Sequence, residues 1–302
     1  LLAEIADLHG VPEGAYNIRS DGQLAGRNTT ANIDIVTKQD KPGIDVTIAP
    51  GTKGEQVYIP ACVTHSKVDD LVYNDFYVGE GADVIIEAGC GVHSEGEEEA
   101  RHNGIHRFLL AKGAHVLYKE KHIATGDGKG DKVIDPVTDI ELAEDACLEM
   151  DTVQLGGVSR TTRKTRAVLQ KNARLLVRER IMTNGDEFAR TDFVVRLEGE
   201  GSAADLVSRS VARGHSRQEF ASILAKALPS SALPSVNDVP DGSIPDVYKS
   251  DKGIYQLYRA GVLSGNDDAG TFRPNAPITR AEVASVLVRM ADPNTRILFS
   301  LD

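Results

Sequence analysis

The 302-residue chain contains no Trp, and aromatic residues make up only 5% of it. That argues against a stacking platform for single-stranded nucleic acid, which needs rings to lay bases on. Cysteine is equally sparse. Cys62, Cys90 and Cys147 are the only three, an odd and low number that builds no disulfide framework and implies a reducing compartment. Positive charge is in deficit, 34 Lys and Arg against 45 Asp and Glu, for a net −11 and a pI near 5.3. Binding of the whole chain to nucleic acid through phosphate neutralisation is thereby disfavoured. No apolar run approaches the roughly 18 residues a membrane-spanning helix needs, so no membrane span is expected. The chain opens Leu1-Leu2-Ala3-Glu4 without Met or a basic lead-in; no signal peptide is read there, and the true start is expected upstream. A G-x-S-x-G elbow, an H-E-x-x-H pair and a Rossmann fingerprint are all missing. No catalytic residue is nominated and no enzymatic activity is expected. What remains, 41% hydrophobic and 26% charged residues, suffices for one large domain or two ordinary ones.

Leu1, Leu2, Ile5 and Leu8 fall at helical spacing and predict a helix to His9, stopped by Gly10 and Pro12. Residues 1–20 form an N-terminal helical and extended segment. Ile33-Asp34-Ile35-Val36 and Ile44-Asp45-Val46-Thr47-Ile48 then read as strands. A faint repeat follows. A small turn residue and an alanine precede an apolar run at Gly81-Ala82, Gly113-Ala114, Asp145-Ala146 and Asn172-Ala173, with alanine spacings of 32, 32 and 27 residues. Such periods mark solenoids and propellers, whose units bury their apolar faces only against neighbours. A parallel β-helix and a meandering sandwich both fit. A Rossmann or barrel enzyme does not, because no long amphipathic helices alternate with these strands. The strand-rich region is placed at residues 21–228, ending in a short helix over Gln218–Leu228. A Pro/Ser linker occupies 229–236, and a mainly helical module 237–302. Within that module Gly253–Val262 predicts an amphipathic helix. Thr279-Arg280-Ala281-Glu282 forms a capping box that opens a second one.

Cys90-Gly91-Val92-His93, His102 and His106 are the densest collection of metal-capable side chains. Thiolate and imidazole suit zinc, iron or copper, and Cys-x2-His and His-x3-His spacings can each offer two ligands. The alternative is a cysteine buried at a strand end with histidines on a solvated face. Cys62 and Cys147 read as small core residues, Glu95–Glu99 as a solvated loop tip, and Gly126–Asp131 as a flexible hairpin tip. Between Gly156 and Arg180 the charge is net +7. That band fits either a docking face for an acidic partner or the lysine- and arginine-guarded rim of a sheet.

Tyr73-Asn74-Asp75-Phe76-Tyr77, Ala88-Gly89-Cys90-Gly91-Val92-His93, His102-Asn103-Gly104-Ile105-His106-Arg107-Phe108, Glu149–Gln154 and Leu206–Ala212 together resemble the SufB/SufD family, from about residue 1 to 227. The resemblance implies a mainly β chain built as a right-handed parallel β-helix. It further implies a cytoplasmic scaffold for iron–sulfur cluster assembly, carrying a transient cluster. The implied partners are a SufC-type ABC ATPase, which owns the ATP hydrolysis, and a SufB/SufD-type homologue or a second copy. Past Ser216 the family continues with further strands, a later cysteine and a late His-Glu pair, none of which has a counterpart here. The metal candidates therefore stay Cys90, His93, His102 and His106, nominated on chemistry.

Asn237-Asp238-Val239-Pro240, Ile254–Tyr258, Gly261–Gly265, Gly270–Pro274 and Ile278–Glu282 resemble an S-layer homology domain, a small helical module that holds exported proteins on cell-wall polysaccharide. That resemblance makes Arg280 the contact for an acidic sugar, where guanidinium suits carboxylate geometry, with Thr279 and Glu282 beside it. The two resemblances point to different compartments. The chain reads as a cluster-assembly scaffold, with a wall-anchored surface protein or a non-functional fusion of two fragments as alternatives.

Overall fold

The computed structural model describes residues 1–6, 10–214, 216–267 and 269–301, apart from the side chains of Leu2, Ala3, Arg213 and Arg280. Each alanine of the repeat sits just after a corner. Gly51, Gly81, Gly113, Asp145, Asn172 and Gly201 all adopt left-handed backbone, with φ between 56° and 72°. At Gly81, Gly113, Asp145 and Asn172 the next residue is an alanine with 0% exposure. The corners stack directly. The amide of Gly81 donates to Lys112 O, that of Gly113 to Glu144 O, and that of Asp145 to Lys171 O. Asn and Asp serve at two corners because their short polar side chains tolerate this region. Substituting leucine for Ala146 overfills a closed corner. It is expected to cost about 1–3 kcal/mol in urea unfolding.

An N-terminal helix, α1 (Leu2–Ala6), precedes the strands β1 (Ala15–Ser20), β2 (Gln23–Asn28), β3 (Ile33–Thr37), β4 (Gly43–Ile48), β5 (Lys53–Val63) and β6 (Asp69–Val78). There follow β7 (Asp83–His93), β8 (Ala100–Leu110), β9 (His115–Thr125), β10 (Lys132–Ile134) and β11 (Val137–Leu142). The series ends with β12 (Cys147–Gln154), β13 (Arg160–Leu169), β14 (Arg174–Asn184), β15 (Phe188–Leu197) and β16 (Ala203–Arg213). From β4 onward the strands alternate between two 8-stranded sheets, except that β10 and β11 share one. One runs β16-β14-β12-β9-β7-β5-β1-β2, and the other contains β10-β13-β11-β8-β6-β4-β3 with β15 on β13. Among the described residues, the coil-to-coil pairings from β5 to β15 are parallel. Antiparallel pairing occurs at the first coils, β1 with β2 and β3 with β4. The molecule is thus a parallel β-helix, which settles the choice between solenoid and sandwich.

Inside, Val84, Ile86, Phe76, Phe108, Val116 and Leu148 belong to the main apolar core, and Val63, Val92, Ala100, Ala124, Ile134 and Val158 to a smaller one. Helix α1 buries Ile5 and Ala6 on the outside of β7. There a side-chain carbon at Gly89 would stand 2.3 Å from the Ile5 carbonyl oxygen. Of the helix read over residues 1–9, residues 7–9 lie outside the described residues.

The chain divides into two compact units, Leu1–Ala212 and Arg213–Asp302. The second contains α2 (Arg217–Ala227), α3 (Lys252–Arg259) and α4 (Arg280–Ala291). Leu224, Tyr255, Tyr258, Phe272 and Val286 form its core. The stretch 229–236, read as a linker, carries a 3-10 turn at Ser230–Ala232 and buries Leu233 in that same core. The capping box read at Thr279–Glu282 is present, and Ser216 with Glu219 forms another at the start of α2.

Candidate functional site

Alternation along a strand sends residues of one parity inward. On β9 that parity is Val116, Tyr118, Glu120, His122 and Ala124. Glu120 and His122 are therefore committed to the interior by their apolar neighbours. Parallel register then sets Cys90 of β7 beside His122, and Glu120 in line with Thr152 and Glu179. Arg163 enters from the opposite sheet on β13.

These side chains make a dry polar network. The Arg163 guanidinium donates to Glu120 Oε2 at 2.8 Å and lies 3.1 Å from Glu179 Oε1. It also donates to His122 Nδ1 at 3.1 Å. Thr191 and Ser208 hydroxyls donate to Glu179. Tyr118 donates to Glu120 Oε1 at 2.8 Å and accepts from His106 Nδ1 at 2.8 Å. Arg163 and Glu120 are each 4% exposed, Glu179 1% and His122 0%. Burial alone would raise the Glu120 carboxyl, but His122 and the Arg163 guanidinium hold it well below the usual carboxylate range. Burial, with Glu120 adding to it, pushes the Cys90 thiol well up. Burial also pulls the His122 imidazole down against the pull of Glu120.

Cys90, Glu120 and His122 place a sulfur, an oxygen and a nitrogen all within 4.8 Å of one another. That mixed set suits a borderline transition metal. With Arg163 donating to Nδ1, the neutral ring carries its proton on Nε2, which lies 3.3 Å from Glu120 Oε1 outside hydrogen-bond geometry, so ligation through Nε2 requires that proton to leave. Two carboxylates against one guanidinium leave the network with a surplus of negative charge, which also favours a cation. Loading a metal requires Cys90 to shed its proton. In the closed fold that thiol is expected to resist alkylation at neutral pH, where reactivity follows thiolate content and access. Peptide mapping after iodoacetamide treatment should find the half-buried Cys147 labelled well before Cys90. Equal labelling of the two would contradict the closed interior.

Of the four nominated metal ligands, Cys90 alone stands in a three-donor cluster among the described residues. His93 is three positions from Cys90 and so faces the other way. It is half-exposed, 3.0 Å from Thr125 Oγ1 and 3.5 Å from Glu95. His102 and His106 share the interior face but are about 13 Å apart along the strand, too far for one ion. His102 pairs through Nδ1 with Asp70 at 2.9 Å, and Asp70 also holds Arg19 at 3.0 Å. Two of the three histidines read as a solvated face, His102 and His106, are thus interior, and burial lowers His106 to about 4. Glu120, His122, Arg163 and Glu179 were missed because they are far apart in sequence and two lie in strongly charged runs. The signal that could find them is the parity they share with Tyr118, Ala167 and Val177.

Other readings change with the coordinates. Cys62 is buried, but Cys147 faces outward and is half-buried. Residues 126–131 form a corner between strands of different sheets, stacked on the loop below through Gly128 N to Ser94 O and Gly130 N to Gly96 O, not a hairpin tip. The basic band is neither rim nor open docking face. Strands β13 and β14 are interior to their sheets. Arg166, Lys171 and Arg180 meet Asp139, Glu144 and Asp151 of the preceding coil, and Arg163 points inward.

In the second unit, Thr279 and Glu282 are occupied with each other, since Thr279 N and Oγ1 both donate to Glu282 Oε2 at 2.8 Å. The other Glu282 oxygen pairs with Arg217. Arg280 begins α4, and its side chain lies outside the described residues. A cleft of about 260 Å3 beside this helix is lined by Arg217, Asn266, Glu282 and Arg289. Among the described residues no helix is long and apolar enough to cross a membrane.

A model of the SUF-system iron–sulfur cluster assembly SufBD core domain matches residues 76–232, and a model of the S-layer homology domain matches residues 243–284. An iron–sulfur cluster assembly SufBD family protein of Methanothermobacter thermautotrophicus is 23% identical over 257 residues, covering 82% of this chain and 61% of the relative. The chain therefore spans about three-fifths of that relative's length.

Proposed function

Because the chain belongs to the SufBD family, we propose that its solenoid is a scaffold component of iron–sulfur cluster assembly. The observation that carries this reading is the buried Cys90–Glu120–His122 donor set inside a SufBD-type β-helix. The cluster, or the iron and sulfide that build it, is cargo. Cys90 Sγ, a Glu120 oxygen and a His122 ring nitrogen relieved of its proton are the atoms that would hold it, and Arg163 would position Glu120 from the far sheet. No hydrolytic activity is assigned to the chain. ATP hydrolysis is assigned to a SufC-type ABC ATPase partner, and the setting to the cytoplasm.

A homologous subunit or a second copy is the other partner. Strands β15 and β16 end the two sheets and leave Phe188, Val194, Leu197, Leu206 and Val211 exposed. Edges with that much apolar surface favour further pairing.

Anaerobic incubation with ferrous iron and sulfide should give a visible chromophore, and Cys90→Ala should lose at least about half of it while keeping its circular dichroism. A colourless wild-type protein would sink the cargo assignment. Co-purification with an ABC ATPase tests the partnership separately.

The S-layer homology match over residues 243–284 favours a second reading, a cell-surface protein bound to wall polysaccharide. The cleft beside α4 supports it, since the Arg289 guanidinium in its lining suits an acidic sugar, whereas Arg217 is held by Glu282. Purified sacculi should then sediment the protein, and Arg280→Ala should release it. A wild-type chain left in the supernatant would exclude this reading.

A further inference from the structure

One row of outward-facing residues crosses the first sheet just past the corners. Asp83, His115, Cys147 and Arg174 stand side by side on β7, β9, β12 and β14, and Glu149 follows Cys147 on the same face. His115 sits between two carboxylates. Its Nδ1 is 2.9 Å from Asp83 Oδ1, and its Nε2 is 3.2 Å from Glu149 Oε1. A neutral imidazole has one N–H and one lone pair. If Asp83 takes the Nδ1 proton, the Nε2 lone pair faces a carboxylate oxygen, and that contact is repulsive unless a cation lies between them. Cys147 supplies the third donor: its sulfur, a His115 nitrogen and a Glu149 oxygen all lie within 4.8 Å of one another.

We propose that His115 Nε2, Cys147 Sγ and a Glu149 carboxylate oxygen form a surface site for a divalent transition-metal ion of the zinc class. Mixed sulfur, nitrogen and oxygen donors exclude magnesium and calcium as preferred occupants. Asp83 on Nδ1 is the orienting carboxylate that such histidines commonly carry, fixing the tautomer that frees Nε2. Arg178 lies 3.9 Å from the other Glu149 oxygen, Oε2, and leaves Oε1 toward the histidine. Ligand bonds of about 2.0–2.3 Å require the three side chains to close in by about an ångström. All three are partly exposed and free to do so. Three protein donors leave a fourth position open toward solvent, as in zinc sites that bind an exogenous ligand. The site is distinct from the interior set, with which it shares no residue.

The test is titration of the full, chelator-treated chain with cobalt(II) ion alone, read by absorption. A thiolate-to-cobalt charge-transfer band and intense visible bands should saturate at one equivalent and vanish on adding zinc. In a Cys90→Ser background, which removes the interior thiolate, Cys147→Ser should abolish the charge-transfer band. Asp83→Asn should weaken binding by about tenfold or more. Cys90→Ser should leave the surface signal intact. Absence of the band in the wild-type chain, or its survival in the double variant, would overturn the proposal. In either case the three side chains do not converge on an ion. Because Cys147 is partly exposed, its serine variant should fold, and unchanged circular dichroism verifies that.

Discussion

Replacing Arg163 by methionine is expected to destabilise the β-helix by about 3–5 kcal/mol, the usual consequence of stranding a buried partner charge. Arg163 serves Glu120, Glu179 and His122 at once, and among the described residues no other Lys or Arg pairs with the two carboxylates. Methionine fills similar volume and makes none of these bonds. Lysine should fail nearly as badly, since one ammonium cannot reproduce three contacts from a planar fork. Urea unfolding followed by far-UV circular dichroism measures the deficit. Adding Glu120→Gln and Glu179→Gln to Arg163→Met should recover most of it, because neutral amides no longer demand a counter-charge. A single-variant loss below about 1 kcal/mol would mean that water reaches the network and that the interior is not dry.

The contrast between what could and could not be read from the residues follows from period and distance. Corners announce themselves locally: Gly81-Ala82, Gly113-Ala114, Asp145-Ala146 and Asn172-Ala173 carry both the left-handed residue and the buried alanine in adjacent letters. They suffice for the solenoid, but strand direction is a property of pairs, so a sandwich fitted the same letters. The Ala88–His93 word has a double meaning that only packing reveals. Its even positions face the core, while Gly89 and Gly91 clear space outside for Ile5 and Leu1. Spacing rules for metal ligands mislead here because Cys-x2-His converges on loops and helices, whereas in a strand it puts the two on opposite faces. Donor clusters in a β-helix form between coils instead. Cys90 and His122, like His115 and Cys147, stand 32 residues apart. Searching at the repeat period recovers both clusters, and the shorter offsets of 27 and 29 residues pair the basic band with acids of the preceding coil.

Acid should weaken the fold in two stages, and His106 governs the first. Burial lowers its pKa from 6.5 to about 4. The ring donates through Nδ1 to Tyr118, Nε2 lies 3.4 Å from Asn74 Nδ2, and Phe76 and Tyr118 present ring edges to it. Of the charged neighbours, Glu120 favours its protonation, while His102, His122 and Arg163 oppose it. Above pH 6.5 both folded and unfolded forms are neutral and nothing is lost. As pH falls from there toward 4 the unfolded histidine binds a proton that the folded one refuses, so stability drops by about 3 kcal/mol over that window. His122, lowered in the same direction, adds to the slope. Below it, Glu120 and Asp70, whose carboxyls are held low in the fold, lose their contribution as they protonate. His106→Gln keeps a polar group at the site without a titrating ring, and should flatten the dependence between pH 6.5 and 4 while leaving the steeper acid limb in place. Unfolding free energies measured across this range for both proteins decide the matter. Parallel curves would mean that the interior admits the proton freely, and that the Tyr118–Glu120 chain is open to solvent.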